Sequence, residues 1–222
     1  VSQWQREQYE HVLNDQAKRL GWVTRNCIQA DLLPDKAVKK DHQLIHISRP
    51  ERGLKPLLSI FAQLKKERPE LELKVARYHS MYENNPGVAS TLDWADRAVA
   101  EADGVEFLGE LNKPQLYQAI AESKLMLYPG VYDFAETSCI AAIETQALGT
   151  PMVGTQIGAL PETLLGGVLI EGNAETSAYQ RQYLEAATKL LDDEAHYQKM
   201  FYAPTLPATP LNALRSTAAL PG

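Results

Sequence analysis

The sequence predicts an α/β domain built on a doubly wound parallel sheet. Short apolar runs of strand length alternate with amphipathic stretches of helix length, and the connections between successive strands are too long for hairpins. A chain of 222 residues can also bury a self-sufficient core.

The elements follow in order. Trp4, Tyr9, Val12, Leu13, Ala17 and Leu20 fall at helical spacing behind Ser2, an N-cap candidate, so the chain opens with an amphipathic helix. A short strand is expected at Trp22 to Arg25, then a polar connection through Asp31, Pro34 and Asp35 to Lys40. Leu44-Ile45-His46-Ile47-Ser48 is a buried-strand run, and Leu54, Leu57, Leu58, Phe61 and Leu64 mark the helix after it. Leu71 to Tyr78 repeats the strand. A polar loop with Asn84-Asn85-Pro86-Gly87 leads to a helix carrying Trp94, Ala98, Val99 and Ala102.

Val105 to Leu108 is the next strand. Asn112 and Pro114 open a helix through Leu116, Ala119 and Ile120, because a short polar cap and an early proline suit a helix start. Lys124 to Tyr128 returns as strand, and Ser138 to Leu148 is a helix ended by Gly149. Pro151 to Gly154 and Val168 to Ile170 are the last strands. One long helix with Tyr179, Tyr183, Ala187, Leu190 and Leu191 on a stripe closes the array. The domain is expected to span residues 1–202, with 1–40 as leading helix and connection. From Ala203 onward, prolines at 204, 207, 210 and 221 without a period predict an irregular tail over 203–222. A start at Val1 that enters a helix at once reads as a piece of a longer protein.

Composition narrows the function. A net charge of −6 argues against a general nucleic-acid binder. No run approaches the roughly 20 apolar residues of a membrane span. Cys27 and Cys139 are far apart and lack metal-like partners, which argues against a disulfide framework or a zinc site and makes a reducing cytoplasm the default.

In doubly wound sheets, ligands bind beyond the carboxyl ends of the strands, so the candidates are sought in those loops. Ser48-Arg49-Pro50-Glu51-Arg52-Gly53-Leu54-Lys55 follows the first strong strand. Two guanidinium groups and one ammonium there suit a diphosphate, although a solvated basic turn would look the same. Glu136 and Glu144 lie eight residues apart, about 12 Å along a helix, which suits two ends of one extended ligand rather than a catalytic carboxylate pair. Between them Thr137-Ser138-Cys139 would offer backbone N–H groups and a helix dipole to phosphate oxygens. A glutamate before a helix can equally serve the dipole alone, and one within it can face solvent. His46, within an apolar strand, reads as a core histidine, and His79 could touch a phosphate.

The stretch from Phe134 to Val153, FAETSCIAAIETQALGTPMV, resembles the E-x7-E signature of retaining glycosyltransferases of the GT-B architecture, especially family 4. Val105 to Gly109, Leu116 to Ala119 and Lys124 to Pro129 look like the elements before that signature. Gly158-Ala159-Leu160-Pro161-Glu162 looks like the segment after it, and Ser48 to Leu58 is similar to the family's basic donor loop. The resemblance covers roughly Ser2 to Met200 and implies the carboxyl-terminal, Rossmann-like half of a GT-B enzyme.

By that resemblance Glu136 contacts hydroxyls of the transferred sugar, and Arg49 and Arg52 stabilise the departing nucleotide. Glu144 holds the ribose, the amides of Thr137 and Ser138 help with the diphosphate, and Gly109 and Leu111 lie near the base. Three departures stand out. Thr-Ser-Cys replaces a glycine-rich turn. Arg49 is followed by Arg52, so either Arg52 or Lys55 takes the place of the family's lysine. The second, facing domain is unmatched, so the acceptor site is expected to be missing and the piece inactive by itself. No Asp-x-Asp pattern is present, so metal-independent transfer without a cofactor is expected. The implied partners are a nucleotide sugar and a glycan or other acceptor reached through the missing amino-terminal domain, in polysaccharide biosynthesis. The full enzyme would be cytoplasmic or would dock at the inner face of a membrane. Two alternatives stay open: a nucleotide-sugar epimerase, which needs an added acid or base, and a degenerate Rossmann-like module kept for protein contacts.

Overall fold

The computed structural model describes residues 2–13, 22–76 and 86–201, with the side chains of 86–92 and 201 left aside. The elements are α1 Gln3–Leu13, β1 Lys40–Ile47, α2 Leu54–Glu67, β2 Glu72–Ala76, α3 Pro86–Glu101, β3 Val105–Gly109, α4 Lys113–Glu122, β4 Ser123–Tyr128, α5 Ile140–Ala147, β5 Met152–Thr155, α6 Leu160–Thr163, β6 Gly167–Ile170, α7 Ser177–Asp192 and α8 Glu194–Phe201. The six strands form one sheet in the order β3-β2-β1-β4-β5-β6, and every pair is parallel.

Strand alternation explains both faces. Leu44, Leu73, Leu125, Leu127 and Val153 point into a core shared with α2 and α7, where Leu57, Phe61, Tyr183 and Leu190 are buried. Ile45, Ile47, Met126, Tyr128 and Met152 point the other way, onto Leu116, Tyr117, Ile120 and Ala142 of α4 and α5. Strands covered on both faces need apolar residues at consecutive positions, which is why their sequence reads as unbroken runs.

Several expectations hold in detail. The Ser2 hydroxyl oxygen accepts from the Gln5 amide at 3.0 Å, capping α1. Asn112 and Gln115 form a reciprocal capping box at the start of α4. Others need correction. Residues 22–29 form no strand, and Trp22 is 89% exposed, because its short apolar run meets no sheet edge to pair with. α3 already starts at Pro86, so Pro86 and Gly87 belong to a first helical turn instead of the loop. α5 starts at Ile140, two residues later than expected, with Cys139 as its cap. A short helix, α6, follows Gly158-Ala159. The expected long helix is α7, which carries Tyr179 to Leu191, but it is not the last element. It stops before Asp193, whose carboxylate accepts from the His196 amide at 2.9 Å and starts a further helix, α8. Ala17, Leu20, Tyr78, His79, Asn84, Asn85 and the tail 203–222 lie outside the described residues.

The strand order reverses between β1 and β4, the switch point beyond whose carboxyl ends doubly wound sheets bind their ligands. Gly53, at the end of the loop after β1, holds that loop close to the loop after β4. Its φ is +129°, and a Cβ there would sit 2.3 Å from the Pro129 carbonyl oxygen.

Candidate functional site

The two loops at the switch point place a cation on a carboxylate. Arg52, in a 3-10 turn after β1, donates from Nη1 to Glu136 Oε1 at 2.7 Å. The Glu136 residue is only 5% exposed. Burial pulls the Arg52 pKa down, but the charge of Glu136, the nearby Tyr128 and the hydrogen bond to the carboxylate outweigh this and raise it. Its Nε is buried with no partner among the described residues, a spare donor at the switch point. The guanidinium also stands 5.9 Å from the centre of the Phe134 ring.

Glu136 is held from two further sides. The Tyr128 hydroxyl, at the end of β4, donates to the same Oε1. The Ala159 amide donates to the Glu136 carbonyl at 2.6 Å. The segment can come this close because Gly158 takes a φ of +52°; a Cβ on it would lie 2.3 Å from that carbonyl oxygen. Burial, then the charge of Glu136, pushes the neighbouring Cys139 thiol up to about 12, so it stays protonated at neutral pH.

Glu144, 3% exposed and on α5, accepts from Lys113 Nζ at 2.5 Å. Lys113 opens α4 and stands 5.7 Å from the centre of the Tyr117 ring. Burial raises the Tyr117 phenol, and Gln29 donates its amide to the hydroxyl at 3.4 Å. A second acid–base pair therefore lies beyond the loop that follows β3.

The remaining sequence candidates are more dispersed. Arg49 turns back on Glu51, with Nε 3.0 Å from Oε1. Lys55 is exposed and lies 3.5 Å from Glu175. It lines a groove of about 380 Å³ with Pro50, Gly53, Trp94, Tyr132 and Glu175, between the loops that follow β1 and β4, and neither Arg52 nor Glu136 is part of that lining. Thr137 is exposed, and Ser138 gives its carbonyl to Asn26 Nδ2 at 3.2 Å. Because α5 begins at Ile140, Thr137 and Ser138 sit in the turn before the helix rather than in its first turn, and the helical-rise estimate does not measure the distance from Glu136 to Glu144. Gly109 ends β3 with a φ of +70°, and Leu111 packs against the core on the α4 side. His46 is fully buried. Its Nδ1 donates to the Leu127 carbonyl at 2.8 Å, and burial lowers its pKa to about 4, as suits a core histidine.

Lys113, Tyr128 and Asn26 were not read from sequence as site residues. Lys113 looks like a surface lysine at a helix start, and Tyr128 like one more core residue in an apolar strand. Their pairings are long-range, and only the position of Lys113, just past the β3 loop, hinted at a role. Among the described residues no group of three His, Cys, Asp or Glu side chains could hold a metal ion, and no described helix is long and apolar enough to cross a membrane.

Comparison with known proteins bears on the family and the fold. The family described as glycosyl transferases group 1 matches residues 34–203. A D-inositol 3-phosphate glycosyltransferase from Corynebacterium diphtheriae is 26% identical over 155 residues, covering 67% of this chain and 34% of that protein. Sucrose-phosphate synthase from Thermosynechococcus elongatus superposes with a TM-score of 0.63 at 16% identity, covering 89% of this chain and 50% of its own. The Anabaena protein HepE, solved in complex with UDP-glucose, superposes with a TM-score of 0.55 at 18% identity over 73% of this chain and 42% of its own. The chain thus spans between about a third and a half of the length of these relatives.

Proposed function

The chain belongs to the glycosyl transferases group 1 family, with the Rossmann-like sheet of a GT-B glycosyltransferase, and from that membership we propose that its switch-point crevice holds a nucleotide diphosphate sugar. The observation that carries the reading is the Arg52–Glu136 contact, a guanidinium with a spare buried donor beside a buried carboxylate where β1 and β4 part. Carboxylates accept hydrogen bonds from vicinal hydroxyls, and guanidinium groups match phosphate oxygens in a fork. In this reading Glu136 receives the sugar hydroxyls and Glu144 the ribose, with Lys113 holding Glu144 in place. Arg52 and Arg49 take the diphosphate.

Arg52 fits that role better than Lys55, which is engaged with Glu175 in the neighbouring groove. The backbone before α5 and the start of that helix add positive potential. As the bond from the anomeric carbon to the diphosphate lengthens, negative charge grows on the leaving oxygen, and these cations stabilise it. We assign transfer with retention, without metal, to a glycan or similar acceptor. That acceptor meets the donor from a facing domain, so this chain binds nucleotide but transfers no sugar by itself.

Titration calorimetry with UDP, GDP and ADP tests the reading. One nucleotide should bind, and Arg52→Ala and Glu144→Ala should each weaken it at least tenfold. No binding of any of the three to the wild type, or mutants that bind as well as it does, would refute the proposal.

A further inference from the structure

We propose that Tyr128 is a positioning residue that turns one chosen oxygen of Glu136 toward the sugar. The inference rests on the reading above, in which Glu136 accepts from sugar hydroxyls.

Tyr128 is the last residue of β4 and is 2% exposed. Its hydroxyl donates to Glu136 Oε1, the oxygen that already accepts from Arg52 Nη1. Both protein donors converge on Oε1. Oε2 of this nearly buried side chain receives none among the described residues, which leaves it as the oxygen with acceptor capacity for a ligand hydroxyl.

The tyrosine itself is held firmly. Its amide donates to the Tyr183 hydroxyl at 2.8 Å, and that hydroxyl donates to the Val153 carbonyl at 2.6 Å. Its ring lies nearly parallel to His46, with centroids 6.1 Å apart. A carboxylate's terminal torsion is broad, so two fixed donors on one oxygen set its rotation far better than packing alone. Burial, helped by the nearby Cys139 and Glu136, holds the phenol well above its usual pKa, so it remains a donor throughout the neutral range.

The test separates sugar from nucleotide. Kd is measured for the pairs UDP and UDP-glucose, GDP and GDP-mannose, and ADP and ADP-glucose, on the wild type, Tyr128→Phe, Glu136→Gln and the double variant. The wild type should bind one sugar nucleotide at least fivefold more tightly than its parent nucleotide. Tyr128→Phe should keep the nucleotide Kd within twofold while shrinking the sugar advantage below twofold. Glu136→Gln should do the same, and the double variant should lose nothing more, since two residues acting through one contact are not additive. Thermal unfolding is followed in parallel; phenylalanine fills the same space, and Glu136→Gln tests the same contact from its other side. A Tyr128→Phe protein that keeps the full sugar advantage, or loses nucleotide and sugar nucleotide equally, overturns the role of Tyr128. A wild type that binds nucleotide without any sugar advantage overturns it too, while leaving the nucleotide reading standing. A wild type that binds no nucleotide overturns both.

Discussion

The two ends of the sheet carry buried charge in opposite ways. At the amino-terminal edge, Lys124 is nearly buried and fully engaged, with Asp41 at 3.1 Å, Glu194 at 3.2 Å and the Tyr197 ring centre at 4.0 Å. Beside it Lys39 donates to the Ser123 carbonyl at 2.9 Å and to the Thr150 hydroxyl at 2.5 Å. At the carboxyl-terminal edge, among the described residues, Arg52 keeps a buried donor unmatched and Glu136 accepts protein donors on one oxygen alone. A closed set of bonds ties strands and helices together. An incomplete one costs stability unless another molecule completes it, and that contrast separates scaffold from site.

The contrast can be broken at the carboxyl-terminal edge most sharply through Gly158. An alanine there must take a left-handed backbone and overlap the Glu136 carbonyl, so Gly158→Ala should lower unfolding free energy by about 2–4 kcal/mol. Urea unfolding should show the loss, together with a sugar advantage over the parent nucleotide that falls below twofold in calorimetry. A variant that kept both properties would mean the clamp on Glu136 is dispensable.

A matched pair comes next. Arg52→Met leaves a buried carboxylate short of one donor and should cost about 1–3 kcal/mol, together with at least a tenfold rise in nucleotide Kd. Lys124→Met replaces a stem of similar length, and its acid partners are exposed enough to return to water. It should cost about 1 kcal/mol or less, with nucleotide affinity unchanged within twofold. Equal effects on affinity would erase the distinction between the two edges.

Lys39 sharpens it through pH. Burial, then the charge of Lys124, lowers its pKa from 10.5 to about 7. Between those values the unfolded chain binds the proton and the folded chain does not, so this group's contribution to stability rises with pH over that window and is flat below about pH 7. Urea midpoints of the wild type relative to Lys39→Met should climb from pH 7 toward pH 10, while nucleotide affinity stays the same in both. A constant difference would show that Lys39 is not depressed. The smallest effect is expected at Asn26→Ala, which removes one partly buried bond to the Ser138 carbonyl: about 0.5–1 kcal/mol and a two- to threefold weaker nucleotide, read from the same titrations.

The buried strands were legible because burial on both faces demands consecutive apolar residues, as in Leu44 to Ile47 and Leu125 to Tyr128. The cap at Asn112 was legible because its chemistry is local. The proposed strand at Trp22 to Arg25 failed for the converse reason, since a strand needs a neighbour that its own residues do not announce. Ser138 is a better intrinsic cap than Cys139, yet its carbonyl is held by Asn26 and Glu136 is clamped by Ala159, so tertiary bonds moved the start of α5. In the site, Glu136, Glu144 and Arg52 could be picked out by their spacing and family likeness. Lys113 and Tyr128 could not, because each meets its glutamate only once the sheet has brought distant segments together.

Glu162 accepts from the amides of Gln3 and Trp4 at 3.1 and 2.9 Å, at the very start of α1. Three residues earlier, Ala159 grips the Glu136 backbone. A lever one helical turn long therefore ties the start of the amino-terminal helix to the backbone of Glu136.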